Sequence, residues 1–173
     1  MDLRRVRASD WAAGLFGAAL IGLLWAPWYS APAGYVQFNG GAHGEPVTHY
    51  IGHVDVNAWQ SMAVNDVILL IAGLLGIWVL VATATQSTGA VPIAADVLAT
   101  LVGLIATVLA LVRLIWPPDL GPGPTDRAVG VWLGAAAAVG MTLAAIASMH
   151  SERRSETAIV PATTLPAPRG SGA

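Results

Sequence analysis

Four apolar runs, separated by short polar or glycine- and proline-rich joints, set the layout of the chain. They lie at about 11–29, 58–84, 92–116 and 126–149. Roughly 20 apolar residues at 1.5 Å each cross a ~30 Å hydrocarbon core, so each run is predicted to be a transmembrane helix. The residues between the first two runs follow a different rule. Tyr35-Val36-Gln37-Phe38 and the stretch from Pro46 to Val56 both alternate, and Asn39-Gly40-Gly41 between them is turn chemistry. This pattern predicts a small antiparallel β-hairpin, which needs the helix ends for support because a two-stranded ribbon alone is marginal. The expected fold is an all-α membrane protein: an up-down-up-down four-transmembrane-helix bundle with a small extracellular β-hairpin in the loop 30–56.

Local signals mark where the runs begin and end. Ser9 is placed to cap the first helix. Trp25, Pro27, Trp28 and Tyr29 close it at headgroup level. A signal peptide cleaved near Ala31-Pro32-Ala33 is the competing reading, but the apolar stretch is longer than the usual 7–15 residues, which favours a retained helix. Asn57 at N-cap with Gln60 three residues on forms a capping box for the second run. Gln86-Ser87-Thr88-Gly89 is a short turn that makes the second and third helices antiparallel neighbours. Pro92 suits a first helical turn, and Pro117-Pro118 stops that helix. Thr125 and Asp126 open the fourth. His150 to Glu156 extends it by a turn, giving a membrane domain over 1–156; 157–173, rich in proline and small residues, is predicted to be a disordered cytoplasmic tail.

Composition narrows the class. The chain of 173 residues is 55% hydrophobic and only 10% charged, against ~25% charged in soluble domains. Net charge is −2 and cysteine is absent, which removes a basic nucleic-acid surface, disulfides and thiolate metal sites. All eight basic residues are arginine, a composition common in GC-rich bacteria. Arg4, Arg5 and Arg7 precede the first run, Arg153, Arg154 and Arg169 follow the fourth, and the first loop has none. Positive-inside logic puts both termini in the cytoplasm of a bacterial inner membrane, with Trp25, Trp28, Trp59, Trp116 and Trp132 at the outer interface. Small-xxx-small steps such as Gly130–Gly134, Ala72–Gly76 and Ala99–Gly103 suit close helix packing.

Three motifs carry a resemblance. RxRxSDWxxGLxG over Arg5–Gly17, APWYS over Ala26–Ser30 and PxAADVLATxxGxxA over Pro92–Ala106 resemble a group of uncharacterised four-helix integral membrane proteins of actinobacteria. The resemblance covers the helices and neither the first loop nor the tail. It implies an inner-membrane four-helix protein with no assigned activity. The architecture is also similar in shape to claudins, without the claudin tryptophan and paired cysteines.

Candidate chemistry is sparse. Asp66 and Arg113 lie towards the outer side of adjacent helices, where a structural ion pair would offset their burial. Asp10 and Asp96 lie near the inner face, where Arg5, Arg7 or Arg153 could neutralise them. In the loop, His43, His49, His53, Glu45 and Asp55 include metal-ligand types, with His49, His53 and Asp55 as weak candidates. On a strand His53 and Asp55 share a face, but His49 and His53 stand ~13 Å apart. No histidine falls within a run, which excludes a bis-histidine haem, and no cofactor is expected. With no nucleophile, metal cluster or phosphate loop, an enzyme is not expected. The expected role is a structural or protein-interaction component, with the lipid bilayer and other membrane proteins as partners and no nucleic acid. The alternative is a small transporter or channel subunit using Asp66, Arg113 and Asp96.

Overall fold

The computed structural model describes residues 6–39, 46–61, 63–85, 90–121 and 123–158. Helix α1 (Ala8–Leu23) leads into strand β1 (Pro27–Asn39), which pairs with β2 (Pro46–Asn57). A short α2 (Ala58–Ser61) precedes α3 (Ala63–Thr85) and α4 (Ala90–Ile115); β3 (Asp126–Arg127) precedes α5 (Val129–Ala158). The chain is mostly helical, and among the described residues three helices are long and apolar enough to cross a membrane: Val64–Thr85, Asp96–Ile115 and Val129–His150. The packed pairs α1–α3, α3–α4, α4–α5 and α5–α1 close a ring.

The first apolar run is shorter as a helix than its sequence suggests. At 16 residues, α1 ends at Leu23, not at Tyr29. Pro27 lacks an N–H and biases Ala26 away from helical angles, so the chain turns and becomes strand. Carbonyls at this end find donors in the turn and the sheet. Leu23 O accepts from Ala26 N at 3.1 Å and from the Trp28 indole N–H at 2.7 Å, and Leu24 O accepts from Ala58 N at 3.2 Å. Trp28 is consequently core and not an interface marker: it is 0% exposed, lying against Gly130 and Gly134 of α5. A Cβ on Gly134 would sit 2.5 Å from the indole ring. Trp25, Trp116 and Trp132 remain exposed.

Other starts and stops differ by smaller amounts. Ser9 sits inside the first turn; the cap is made by Asp10, whose Oδ2 accepts from the Arg7 main-chain N–H at 3.0 Å. The Asn57–Gln60 capping box forms in both directions, at 3.1 and 3.0 Å. Asp126 does not open α5 but belongs to β3, because it pairs with Ser30. The hairpin is present and longer than predicted, with Tyr35 opposite Tyr50 and Val36 opposite His49. With β3 on its far side, the sheet has the order β2-β1-β3. The turn residues 40–45 and 86–89 and the tail 159–173 lie outside the described residues, while α5 runs on to Ala158.

Close approach of backbones carries the interior. α1 crosses α3 at Gly17, Gly73 and Gly76: a Cβ on Gly17 would fall 2.5 Å from Gly73 O. Such close contacts let the van der Waals attraction between two backbones join the helices. On α4 the small residues Ala99, Gly103, Ala106 and Ala110 face inward, while Leu101, Leu104, Val108 and Leu111 are exposed. Between α4 and α5, Thr107 and Thr142 share a hydroxyl hydrogen bond at 3.1 Å, and the Thr142 hydroxyl reaches Ala138 O at 2.9 Å.

Candidate functional site

One end of the helices gathers acids. Asp10 of α1, Asp96 of α4 and Ser148 of α5 are 1%, 1% and 2% exposed. The Ser148 hydroxyl lies 2.7 Å from Asp10 Oδ1 and 2.8 Å from Asp96 Oδ2. One hydroxyl, with a single proton to donate, thus lies within hydrogen-bond distance of carboxyl oxygens from two helices, and Asp10 also caps its own helix through the Arg7 N–H. The structure brings Asp10 and Asp96 together, with Arg7 contributing its main chain; Arg5 and the side chain of Arg153 lie outside the described residues. Ser148 was not singled out from the sequence. The available signal was its place on the buried face of α5, in the 3–4 series Ala138, Met141, Ala145, Ser148.

The opposite end joins the sheet to α4. Tyr29 and Arg127 face each other across β1 and β3, and both reach the last turn of α4. The Tyr29 hydroxyl donates to Arg113 O at 2.9 Å. The Arg127 guanidinium donates through Nε to Leu114 O and through Nη2 to Ile115 O at 2.9 Å. Three carbonyls that a helix end leaves orphaned are thereby satisfied, and a cation meets the negative end of the helix dipole. Burial pushes the Tyr29 phenol up to about 12, a rise tempered by the positive charges of Arg113 and Arg127. No local pattern marks Tyr29 or Arg127: the partner of Tyr29 lies 84 residues on, and those of Arg127 lie 13 and 12 residues back, beyond the proline- and glycine-rich joint.

Asp66 and Arg113 come to this same end but do not form the expected bonded pair. Asp66 is 0% exposed, and neither carboxylate oxygen accepts a hydrogen bond among the described residues. Arg113, a half-buried residue in the last turn of α4, is near enough to act on it through space. Counting residues from Trp59 and Trp116 gives depth along each axis but not the rotation of each helix, which decides whether side chains meet. The Trp59 indole N–H is likewise buried without a partner among the described residues.

The sheet projects from this end. His49, His53 and Asp55 stand opposite Val36, Pro32 and Ser30, and all three are exposed. Among the described residues no three histidine or acidic side chains converge as metal ligands; His43 and Glu45 lie outside them. The hairpin also exposes Tyr35, Val36, Val47, Tyr50, Ile51 and Val54. No protein-family model matches the chain, and no curated protein or solved structure matches it.

Proposed function

We propose that this chain is a multi-pass protein of a bacterial inner membrane, that α1, α3, α4 and α5 cross the bilayer, and that it acts as a structural or protein-interaction component through its sheet. Large apolar side chains exposed along α3 and α4, among them Val67, Ile71, Leu74, Leu101, Leu104 and Val108, suit a lipid surface better than water. The arginine distribution supports cytoplasmic termini and an outer sheet. The observation that carries the interaction reading is the hairpin: an arm fixed to α4 at its base that presents Tyr35, Tyr50, Ile51 and Val54 at roughly half exposure, from 46% to 54%.

Asp66 gives the transporter or channel reading its one specific support, because a buried ionisable group in a span is a functional candidate. Asp66 and Asp96 nevertheless lie towards opposite ends. Leu69, Ala72, Ala99, Gly103, Ala106 and Ala110, all buried, fill the levels between them. That interior favours interaction over passage.

A photo-crosslinking residue at Ile51 tests the reading in intact cells. A discrete protein adduct is expected, lost when Tyr35 and Val54 become serine; a smear of lipid adducts alone overturns it. Topology is read separately. Cysteine at Gly41 should react with an impermeant thiol reagent on whole cells and cysteine at Ser171 should not, and the reverse pattern refutes the orientation.

A further inference from the structure

Arg113 is the basic residue of the last turn of α4. Its carbonyl accepts from Tyr29, but its side chain makes no hydrogen bond or salt bridge among the described residues. Its place on the helix is a boundary. Ala106 and Ala110 are buried on one side, Ile105, Val112 and Trp116 form an exposed ridge on the other, and the half-buried Arg113 stands at the flank between them. Trp116 follows three residues later, ~4.5 Å along the axis, and an exposed tryptophan settles at headgroup level. A guanidinium on its long stem snorkels to that level.

Arg127 comes to the same turn from β3. A guanidinium carries five N–H donors in a planar fork. The edge formed by Nε and Nη2 is spent on Leu114 O and Ile115 O, which leaves the Nη1 and Nη2 edge without a partner among the described residues. Tyr29, opposite Arg127 across the strands, feels both cations but gives its hydroxyl proton to Arg113 O. Asp66 is the acid on the helix side, fully buried. Asp55 and Asp126 both stand opposite Ser30, and alternation along the strands puts them on the sheet face away from Tyr29 and Arg127. Arg113 and Arg127 against Asp66 leave this corner one positive charge in excess.

We propose that Arg113 and Arg127 hold the phosphate of an anionic phospholipid whose acyl chain lies along Ile105, Val112 and Trp116. The inference rests on reading α4 as a membrane-spanning helix. A phosphodiester carries the one negative charge that the corner lacks, and the flat edge of a guanidinium matches its oxygens in a bidentate pair. The apolar ridge beside Arg113 is what selects a lipid over a free anion of the same chemistry. With Asp55 and Asp126 on the other face of the sheet, no exposed carboxylate answers an ammonium here, which favours a headgroup without one. On the topology proposed above, the lipid belongs to the outer leaflet, against the turn to which the sheet is fastened.

The full chain, purified in detergent, is titrated with dioleoyl-phosphatidylglycerol, with dioleoylglycerol (the same chains without phosphate) and with inorganic phosphate. Native mass spectrometry counts the adducts and melting is followed alongside. Phosphatidylglycerol should bind in preference to the other two and raise the melting temperature. Arg113→Gln should weaken its binding on the order of tenfold, and Arg113→Lys by less, since it keeps the charge but loses the fork. Arg153→Gln, which removes the same charge beyond the fourth apolar run, should bind as the parent does. Equal weakening by Arg113→Gln and Arg153→Gln, equal binding of dioleoylglycerol, or a shift with inorganic phosphate as large as that with the lipid each overturns the proposal. Should Arg113→Gln not fold, Arg113→Lys and the three titrations of the parent chain still decide. Flotation with liposomes separates the two levels: a chain that does not float loses the membrane reading, and one that floats without preferring phosphatidylglycerol loses the lipid site alone.

Discussion

At the scale of single residues, polar groups do the binding that the apolar interior cannot. Ser148 is the clearest case, because its hydroxyl is shared by two buried carboxylates. Hydrogen bonds to charged groups contribute roughly 1.5–3 kcal/mol, so Ser148→Ala should lower stability in detergent by about that amount. Thr85→Ala, at an exposed hydroxyl that bonds only within its own helix, is the control and should change little. Tyr29 gives a pH signature with a definite sign. Its phenol titrates near 10 when unfolded and at about 12 when folded, so its contribution is complete below pH 10 and is lost as pH rises towards 12. A melting series from pH 9 to 12 should show this loss, and Tyr29→Phe should begin less stable by about 1 kcal/mol and flatten the slope. Of these groups only the acids were legible beforehand. A carboxylate in an apolar run is conspicuous, whereas a serine among alanines is not, and that Asp66 accepts no hydrogen bond among the described residues depends on helix rotation that no spacing encodes.

At the scale of elements, glycine separates helices that must touch from those that need not. Gly17→Ala drives a methyl against Gly73 O and should cost roughly 1–3 kcal/mol by overpacking. Gly22→Ala, with nothing within 4 Å, should be neutral or slightly stabilising, and thermal melts of the pair in one detergent decide the matter. Arg127→Ala should leave the fold intact but speed amide exchange across the final turn of α4, because two carbonyls lose their donor. The features legible in sequence were those whose causes are local. Asn57 and Gln60 find each other within one turn, and the hairpin follows from alternation on both sides of Asn39-Gly40-Gly41. The end of α1 was illegible for the opposite reason. The slot that draws Trp28 inward is built by Gly130 and Gly134, about a hundred residues further along.

At the scale of the whole molecule, the two ends of the helices are chemically distinct: acids and a serine close one, a sheet and a basic staple close the other. Three of the apolar runs could be read from the sequence as helices long enough to cross a membrane, because length and hydrophobicity alone set them. How the sheet sits on the helices could not, since Tyr29 and Arg127 act only once folding has brought β1 and β3 side by side. That staple has a mechanical consequence. β1 carries 13 residues, about 40 Å of extended chain at ~3.3 Å each. Clamped at its root to the carbonyls of α4, it is a lever whose short arm ends on one helix. Load applied at the hairpin tip is therefore delivered as torque on the last turn of α4, and cutting the clamp at Arg127 would leave the arm swinging free of it.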